Sequence, residues 1–204
     1  MKLLVATSNP GKLQEVREIL APLLQGGEHE LVCLADLGLP APDETGITFE
    51  ENAAQKATAS AARSGLWALA DDSGLCVDAL KGEPGIHSAR WAPSDEERRS
   101  KLLRQMEQTP ATRRGAHFFC AVALCAPDGK RLFRAEGKVT GAIAVEPRGE
   151  NGFGYDPLFV PDEAGLRTMS ELSQPEKNRL SHRGRALGRL APLLSRLLHD
   201  GDLT

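Results

Sequence analysis

Three groups of residues have types and spacings that could do chemistry. The first is Thr7-Ser8-Asn9-Pro10-Gly11-Lys12. A helix opening there offers unpaired backbone N–H groups and the positive end of its dipole, and Lys12 adds a full charge, which together make a phosphate cradle. It is not a P-loop, because that motif needs a second glycine and a hydroxyl after the lysine, where Leu13 stands. Taken alone, the segment is an ordinary helix cap. The second group is Glu44 with Asp71 and Asp72, carboxylates of a loop and a strand end that suit Mg²⁺ held by one or two carboxylates and substrate phosphates. The alternative is a polar turn with Ser73 and Gly74. Asn52 and Lys56, one helical turn apart, share a face near the same loop; such a pair is ordinarily solvated. The third group is Gly152-Phe153-Gly154-Tyr155-Asp156 with Lys177 and Ser181-His182-Arg183-Gly184. Glycines around Phe153 let backbone approach a flat ligand while the ring stacks on it, and Asp156 can accept hydrogen bonds from ring N–H groups. Lys177 offers charge to phosphate, and His182 and Arg183 offer donors to a carbonyl oxygen. Each piece alone is equally packing or surface. No Ser/His/Asp or Cys/His nucleophile arrangement and no zinc-ligand spacing stands out.

These residues need elements to position them. Leu3 to Ala6 suits a short buried strand, followed by a helix with apolar positions at Leu13, Val16, Leu20, Leu23 and Leu24. Ser8 or Asn9 can cap that helix, Pro10 suits its first turn, and Gln25-Gly26-Gly27 ends it. Glu30 to Ala35 reads as a strand and Leu37 to Gly46 as a loop. Thr48 to Glu51 has capping-box spacing before an Ala-rich helix that Ser64-Gly65 closes. Leu66 to Ala70 is a strand running into a turn at Asp71 to Gly74, with Leu75 to Leu80 extended beyond it. Ser94 to Glu97 opens a helix to about Gln108, whose Arg98, Arg99, Lys101 and Arg104 read as a solvated face. His117 to Ala126 and Lys130 to Val145 flank the hairpin signal Pro127-Asp-Gly129. Leu158 to Val160 is a short strand. Ser173 to Glu176 caps a final helical region to about Leu198, which Pro192 is expected to kink or divide. Strands mixed with helices, including a hairpin pair, indicate an α/β or α+β protein with a mixed sheet. The Rossmann fingerprint is excluded, because Tyr-Asp-Pro after Gly154 cannot open a helix.

The chain has 204 residues, 41% hydrophobic and 26% charged, which suits a single globular domain over 1–204. Lys plus Arg total 25 against 28 Asp plus Glu, and a net charge of -3 argues against general binding to nucleic acid. Apolar stretches such as Ala121 to Ala126 fall far short of the roughly 20 residues that span a bilayer. Leu3 to Ala6 is too short for the core of a secretory signal, so a cytoplasmic protein is expected. Cys33, Cys76, Cys120 and Cys125 form no C-x-x-C pair and read as buried free thiols.

Taken together and in order, these segments make the chain similar to the inosine/xanthosine triphosphate pyrophosphohydrolases, the Ham1-like non-standard purine NTP pyrophosphatases. The matching stretches also include Thr48-Phe-Glu-Glu-Asn-Ala-Ala-Gln-Lys56, Pro84-Gly-Ile-His-Ser-Ala-Arg-Trp91, Glu171-Leu172 and Glu176 to Gly184. The resemblance covers nearly the whole chain. It implies a homodimer of two-lobed subunits, each with a long mixed sheet flanked by helices and a cleft between the lobes. It also implies Mg²⁺-dependent hydrolysis of ITP, dITP and XTP to the monophosphate and pyrophosphate, which cleanses the nucleotide pool. By position, Asp72 matches the general base and a metal contact, Glu44 the other metal carboxylate, and Ser73 a substrate contact. Thr7 to Lys12, Lys56 and Lys177 match the phosphate-binding set; Phe153, Gly154, Tyr155, Asp156, His182 and Arg183 match the base-recognition set. Two rivals stand beside this reading: a Maf-like pyrophosphatase of different base preference, and a nucleotide-binding regulator without turnover. A panel of bases separates the first, and loss of an acid such as Asp72 would mark the second.

Overall fold

The computed structural model describes residues 1–25 and 29–200. Strand β1 (Lys2–Val5) leads into α1 (Pro10–Leu20), capped by Asn9, whose side chain accepts from the Lys12 N–H at 3.1 Å, with Pro10 in the first turn. A 3₁₀ turn at Ala21–Leu24 extends the helix. Of its expected stop, Gly26 and Gly27 lie outside the described residues. β2 (Glu30–Cys33) ends earlier than expected, because Asp36 Oδ2 takes the Cys33 N–H at 2.8 Å and folds Ala35–Leu37 into a 3₁₀ turn. In α2 (Phe49–Ser64), Thr48 accepts from the Glu51 N–H, Glu51 reaches back to the Ile47 N–H, and Gly65 closes the helix in the left-handed region at φ 69°.

The largest departure from expectation is β3 (Trp67–Val77), one uninterrupted strand of 11 residues. Asp71 to Gly74 make no turn. Both carboxylates find partners within the fold, which removes their need for water and lets the strand continue through them. α3 (Asp95–Gln105) is capped by Ser94. Its basic residues do not form a purely solvated face: Arg98 pairs with Asp95, Arg99 binds the Gly154 carbonyl, and Lys101 lies 4.6 Å over the Trp91 ring, leaving Arg104 exposed. β4 (Gly115–Cys125) and β5 (Leu132–Ile143) form the expected hairpin, with Gly129 at φ 71°. β6 (Phe159–Pro161), α4 (Gln174–Leu180) and α5 (His182–Asp200) complete the chain. The final helical region divides at Ser181, which is extended, and continues through Pro192. The carbonyl that the proline ring crowds belongs to Gly188, whose backbone yields most readily.

The sheet runs β2-β1-β3-β4-β5-β6, with β1 parallel to β2 and β3 and β6 antiparallel to β5, so it is mixed as expected. The chain divides into two compact units. The first comprises Met1–Asp72, Cys120–Gly137 and the chain from Arg183 onward; its core packs Val16 and Leu20 of α1 and Leu187, Leu190, Leu194 and Leu197 of α5 with Leu3, Leu69 and Val122 of the strands. The second comprises Ser73–Phe119 and Lys138–His182, around Leu75, Leu102, Phe118, Leu158, Phe159 and Leu172. All four cysteines are free thiols; Cys33, Cys120 and Cys125 are buried and Cys76 is half-buried. Among the described residues, no helix is long and apolar enough to cross a membrane.

In the second unit, buried Arg114 serves as a staple without a carboxylate. It donates to the carbonyls of Met106 at 2.9 Å and Thr109 at 3.4 Å after α3, and to Ile143 at 2.8 Å and Ala144 at 3.0 Å at the end of β5. Arg114→Met keeps the apolar stem and removes the donor from these carbonyls, so it should cost about 2 kcal/mol in urea unfolding.

Candidate active site

Five elements of the first unit build an acidic cluster around the middle of β3. Neighbours on a strand face opposite ways, so Asp71 and Asp72 find different partners. Asp71 Oδ2 accepts from Arg183 Nε at 3.2 Å and Nη2 at 3.0 Å, and lies 3.2 Å from Lys12 Nζ. Arg183, itself buried in the first turn of α5, also pairs with Glu15 of α1. Burial raises the Asp71 pKa, but Lys12, Arg183 and Lys56 outweigh it and hold the carboxyl well below the usual range. Burial lowers the Arg183 pKa, yet Asp71 and Glu15 overcome it and fix the charge more firmly.

On the other side, Asp72 Oδ2 accepts from Asn52 Nδ2 at 3.0 Å, and Asn52 Oδ1 accepts from the Gly46 N–H at 2.8 Å. One amide therefore ties Asp72 to the loop that carries Glu44. Lys56 Nζ lies 2.5 Å from Glu44 Oε1 and 3.7 Å from Asp72 Oδ1. Asn52 and Lys56 are buried, not solvated: the small alanines of α2 bring that face against the sheet. Burial, helped by the Glu44 charge, pushes the Asp72 carboxyl above its ordinary pKa against the pull of Lys56, Lys12 and Asn52. Burial lowers the Lys56 pKa, but Asp71, Asp72 and Glu44 more than restore it. Glu44 and Asp72 thus converge their oxygens on the Lys56 ammonium, and a carboxylate pair of this kind would suit Mg²⁺ shared with phosphate oxygens. Among the described residues, no group of three or more acidic, His or Cys side chains forms an all-protein metal cage.

The phosphate-cradle segment lies in the same unit. Thr7 Oγ1 accepts from the Asn9 N–H at 3.2 Å and Ser8 is exposed. Pro10 has no N–H, and Asn9 takes those of Lys12 and Leu13, so Gly11 keeps the first-turn N–H and Lys12 supplies most of the charge.

The second unit holds the aromatic group. Asp156 Oδ2 accepts from the Phe153 N–H at 2.9 Å and from Lys177 Nζ at 2.6 Å, and that ammonium lies 4.9 Å over the Phe153 ring. Gly152, at φ 79°, is required: a Cβ there would stand 2.2 Å from Asp156 Oδ2 and 2.9 Å from Lys177 Nζ. Tyr155 donates to the Ser88 carbonyl at 3.1 Å. His182 stacks on Phe118, ring centres 4.7 Å apart, and Ser73 is half-buried on β3. By contact, two side chains stand apart from the sets that the resemblance implies for them. Lys177 sits with the aromatic loop, and Arg183 joins the acidic cluster. Asn52 and Glu15 were not singled out as site residues, although each lies one turn from a lysine that was, Asn52 from Lys56 and Glu15 from Lys12.

A mixed sheet carrying paired buried carboxylates, a lysine-bearing helix start and a glycine-flanked aromatic loop is the anatomy of a nucleotide-handling enzyme. The Ham1 family model matches residues 3–193, and the chain belongs to the Ham1 family. It is 50% identical over 202 residues to the dITP/XTP pyrophosphatase of Symbiobacterium thermophilum, covering 98% of each chain. Among solved structures, it resembles a HAM1 protein from Coxiella burnetii with a TM-score of 0.84 and 40% identity, covering 96% of this chain and 99% of that one. A nucleoside-triphosphatase, or dITP/XTP pyrophosphatase, from Mycobacterium abscessus gives a TM-score of 0.71 and 47% identity, over 94% of this chain and 100% of that one.

The ion network makes stability depend on pH with a definite sign. Because the folded Asp71 pKa is depressed, its contribution is complete above the unfolded value of 3.8 and is lost as pH falls below that toward the folded pKa. Asp71→Asn should therefore lower stability by about 3 kcal/mol at pH 7, and the gap from wild type should narrow in unfolding curves at pH 3.

Proposed function

We propose that the protein hydrolyses non-standard purine nucleoside triphosphates, ITP, dITP and XTP, to the monophosphate and pyrophosphate, and so cleanses the nucleotide pool. The observation that carries this reading is Asp72, a buried carboxylate fixed by Asn52 and facing Lys56 and Glu44. Asp72 orients a water for in-line attack at the α-phosphorus and takes its proton. The new bond joins the water oxygen to phosphorus, the bond to the α–β bridging oxygen breaks, and pyrophosphate leaves with that electron pair. Lys12, Lys56 and the start of α1 neutralise charge on the phosphates and the leaving group. Glu44 and Asp72 would hold Mg²⁺, which when bound supplies Lewis-acid stabilisation at phosphate oxygens.

The aromatic group handles the base. Phe153 stacks on the purine, while Asp156, committed to Lys177 and to the Phe153 N–H, sets the loop's shape. Hypoxanthine and xanthine present O6 as acceptor, which suits the donors Lys177 and His182; adenine presents a donor there and leaves the site unpaired. A mismatch of that kind can discriminate by about 10⁴. The same family reading supports a homodimer in the cytoplasm, which light scattering and cell fractionation would check.

The test is pyrophosphate release from ITP, XTP, GTP and ATP, with Mg²⁺ and with EDTA. Release from ITP and XTP, abolished by EDTA, is expected; a preference for pyrimidine or modified nucleotides would point to the Maf-like reading. Asp72→Asn should lower turnover about 10²- to 10⁴-fold. Unchanged turnover in that variant would remove Asp72 from the chemistry.

A further inference from the structure

Gly154 stands at the centre of the aromatic loop, at φ 61°, and nothing lies within 4 Å of where its Cβ would be. The space a side chain would fill there is open, and glycine is the residue most free to leave its conformation. What holds it comes from α3. Asp95 Oδ2 accepts from the Gly154 N–H at 2.7 Å, and Arg99 Nη1 donates to the Gly154 carbonyl at 2.8 Å. Asp95 and Arg99 lie one helical turn apart, so one face of α3 grips both polar groups of a single residue. Arg98 steadies the grip by pairing with Asp95 Oδ1 at 3.1 Å.

We propose that Asp95 and Arg99 are positioning residues for base recognition: they clamp Gly154 so that the neighbouring Phe153 ring is presented in one orientation before substrate arrives. The proposal rests on the reading of the Phe153 loop as the base-binding element. Both contacts are charge-assisted, and such bonds are the stronger kind. A loop held this way binds its ligand without first losing conformational freedom, so the clamp acts on affinity for the base and leaves the chemistry at Asp72 alone.

The test combines kinetics with amide exchange on the full chain. Asp95→Ala and Arg99→Met should each raise KM for ITP about tenfold, as expected for loss of one charged hydrogen bond. They should leave kcat within about threefold and leave inhibition by inorganic pyrophosphate, which has no base, unchanged. Asp95→Asn and Arg99→Lys keep an acceptor and a donor and should restore KM. Exchange of the Gly154 N–H in the unliganded protein should quicken in Asp95→Ala and not in Asp95→Asn. An unchanged KM in both deletion variants, or a parallel weakening of pyrophosphate inhibition that signals general damage, would overturn the proposal. A wild-type protein inert toward ITP would instead count against the nucleotide reading, and unaltered Gly154 exchange in Asp95→Ala would still overturn the clamp.

Discussion

Two adjacent carboxylates buried in the middle of a strand are the constraint on which the first unit depends. An ionised carboxylate taken out of water costs several kcal/mol unless it is paired and hydrogen-bonded. Because Asp71 and Asp72 face opposite sides of β3, their hydrogen-bonding partners differ, while the Lys12 and Lys56 charges act on both. α1 supplies Lys12, α5 supplies Arg183, and α2 supplies Asn52 and Lys56. Three helices are thereby committed to one point on one strand. Glu15 in turn balances Arg183, so no member of the network can be removed without exposing another's charge.

The second unit solves its positioning problem by other means. Its aromatic loop is irregular and glycine-punctuated, which lets backbone approach a flat ligand but leaves no regular hydrogen-bond ladder. Asp156 and Lys177 fix one side of Phe153, the α3 face fixes Gly154, and the Ser88 carbonyl holds Tyr155. Ser88 also spans its own segment, accepting from the Leu75 N–H at 2.9 Å and donating to the Gly85 carbonyl at 2.7 Å. Packing confers the shape of the core, and discrete polar contacts confer the shape of the loop.

Much of this was legible in the sequence where the signal is local. The Asn9 cap with Pro10, the Thr48 and Gly65 ends of α2, and the Pro127-Asp-Gly129 hairpin are each set by residues within a few positions of one another. What local reasoning mistook depends on contacts distant in sequence. Asp71 to Gly74 has turn composition, and it runs as a strand through contacts distant in sequence, among them Arg183, more than a hundred residues on. The basic face of α3 looks solvated until the Gly154 loop is folded beside it. Pro192 sits in a helix that the neighbouring core residues Leu190 and Leu194 hold together, while Ser181, an unremarkable serine, marks the break. Lys177 was legible beside the Phe153 loop, whereas the pairing of Arg183 with Asp71 and Glu15 joins residues more than a hundred positions apart and has no local signal.

The charge count of the acidic cluster bears on the metal. Lys12, Lys56 and Arg183 face Glu15, Glu44, Asp71 and Asp72, so the carboxylates outnumber the cations by one. Burial is the main cause of the raised Asp72 carboxyl, and the Glu44 charge adds to it. A triphosphate is itself strongly anionic and would be repelled by a cluster already negative and largely dry, where charges interact more strongly than in water. Lys12 and Lys56 relieve this only in part, because each is also paired within the cluster. A divalent cation held by Glu44 and Asp72 would offset this charge and favour the ionised form of Asp72 that a base requires. This charge balance is the electrostatic support for the proposed Mg²⁺ dependence.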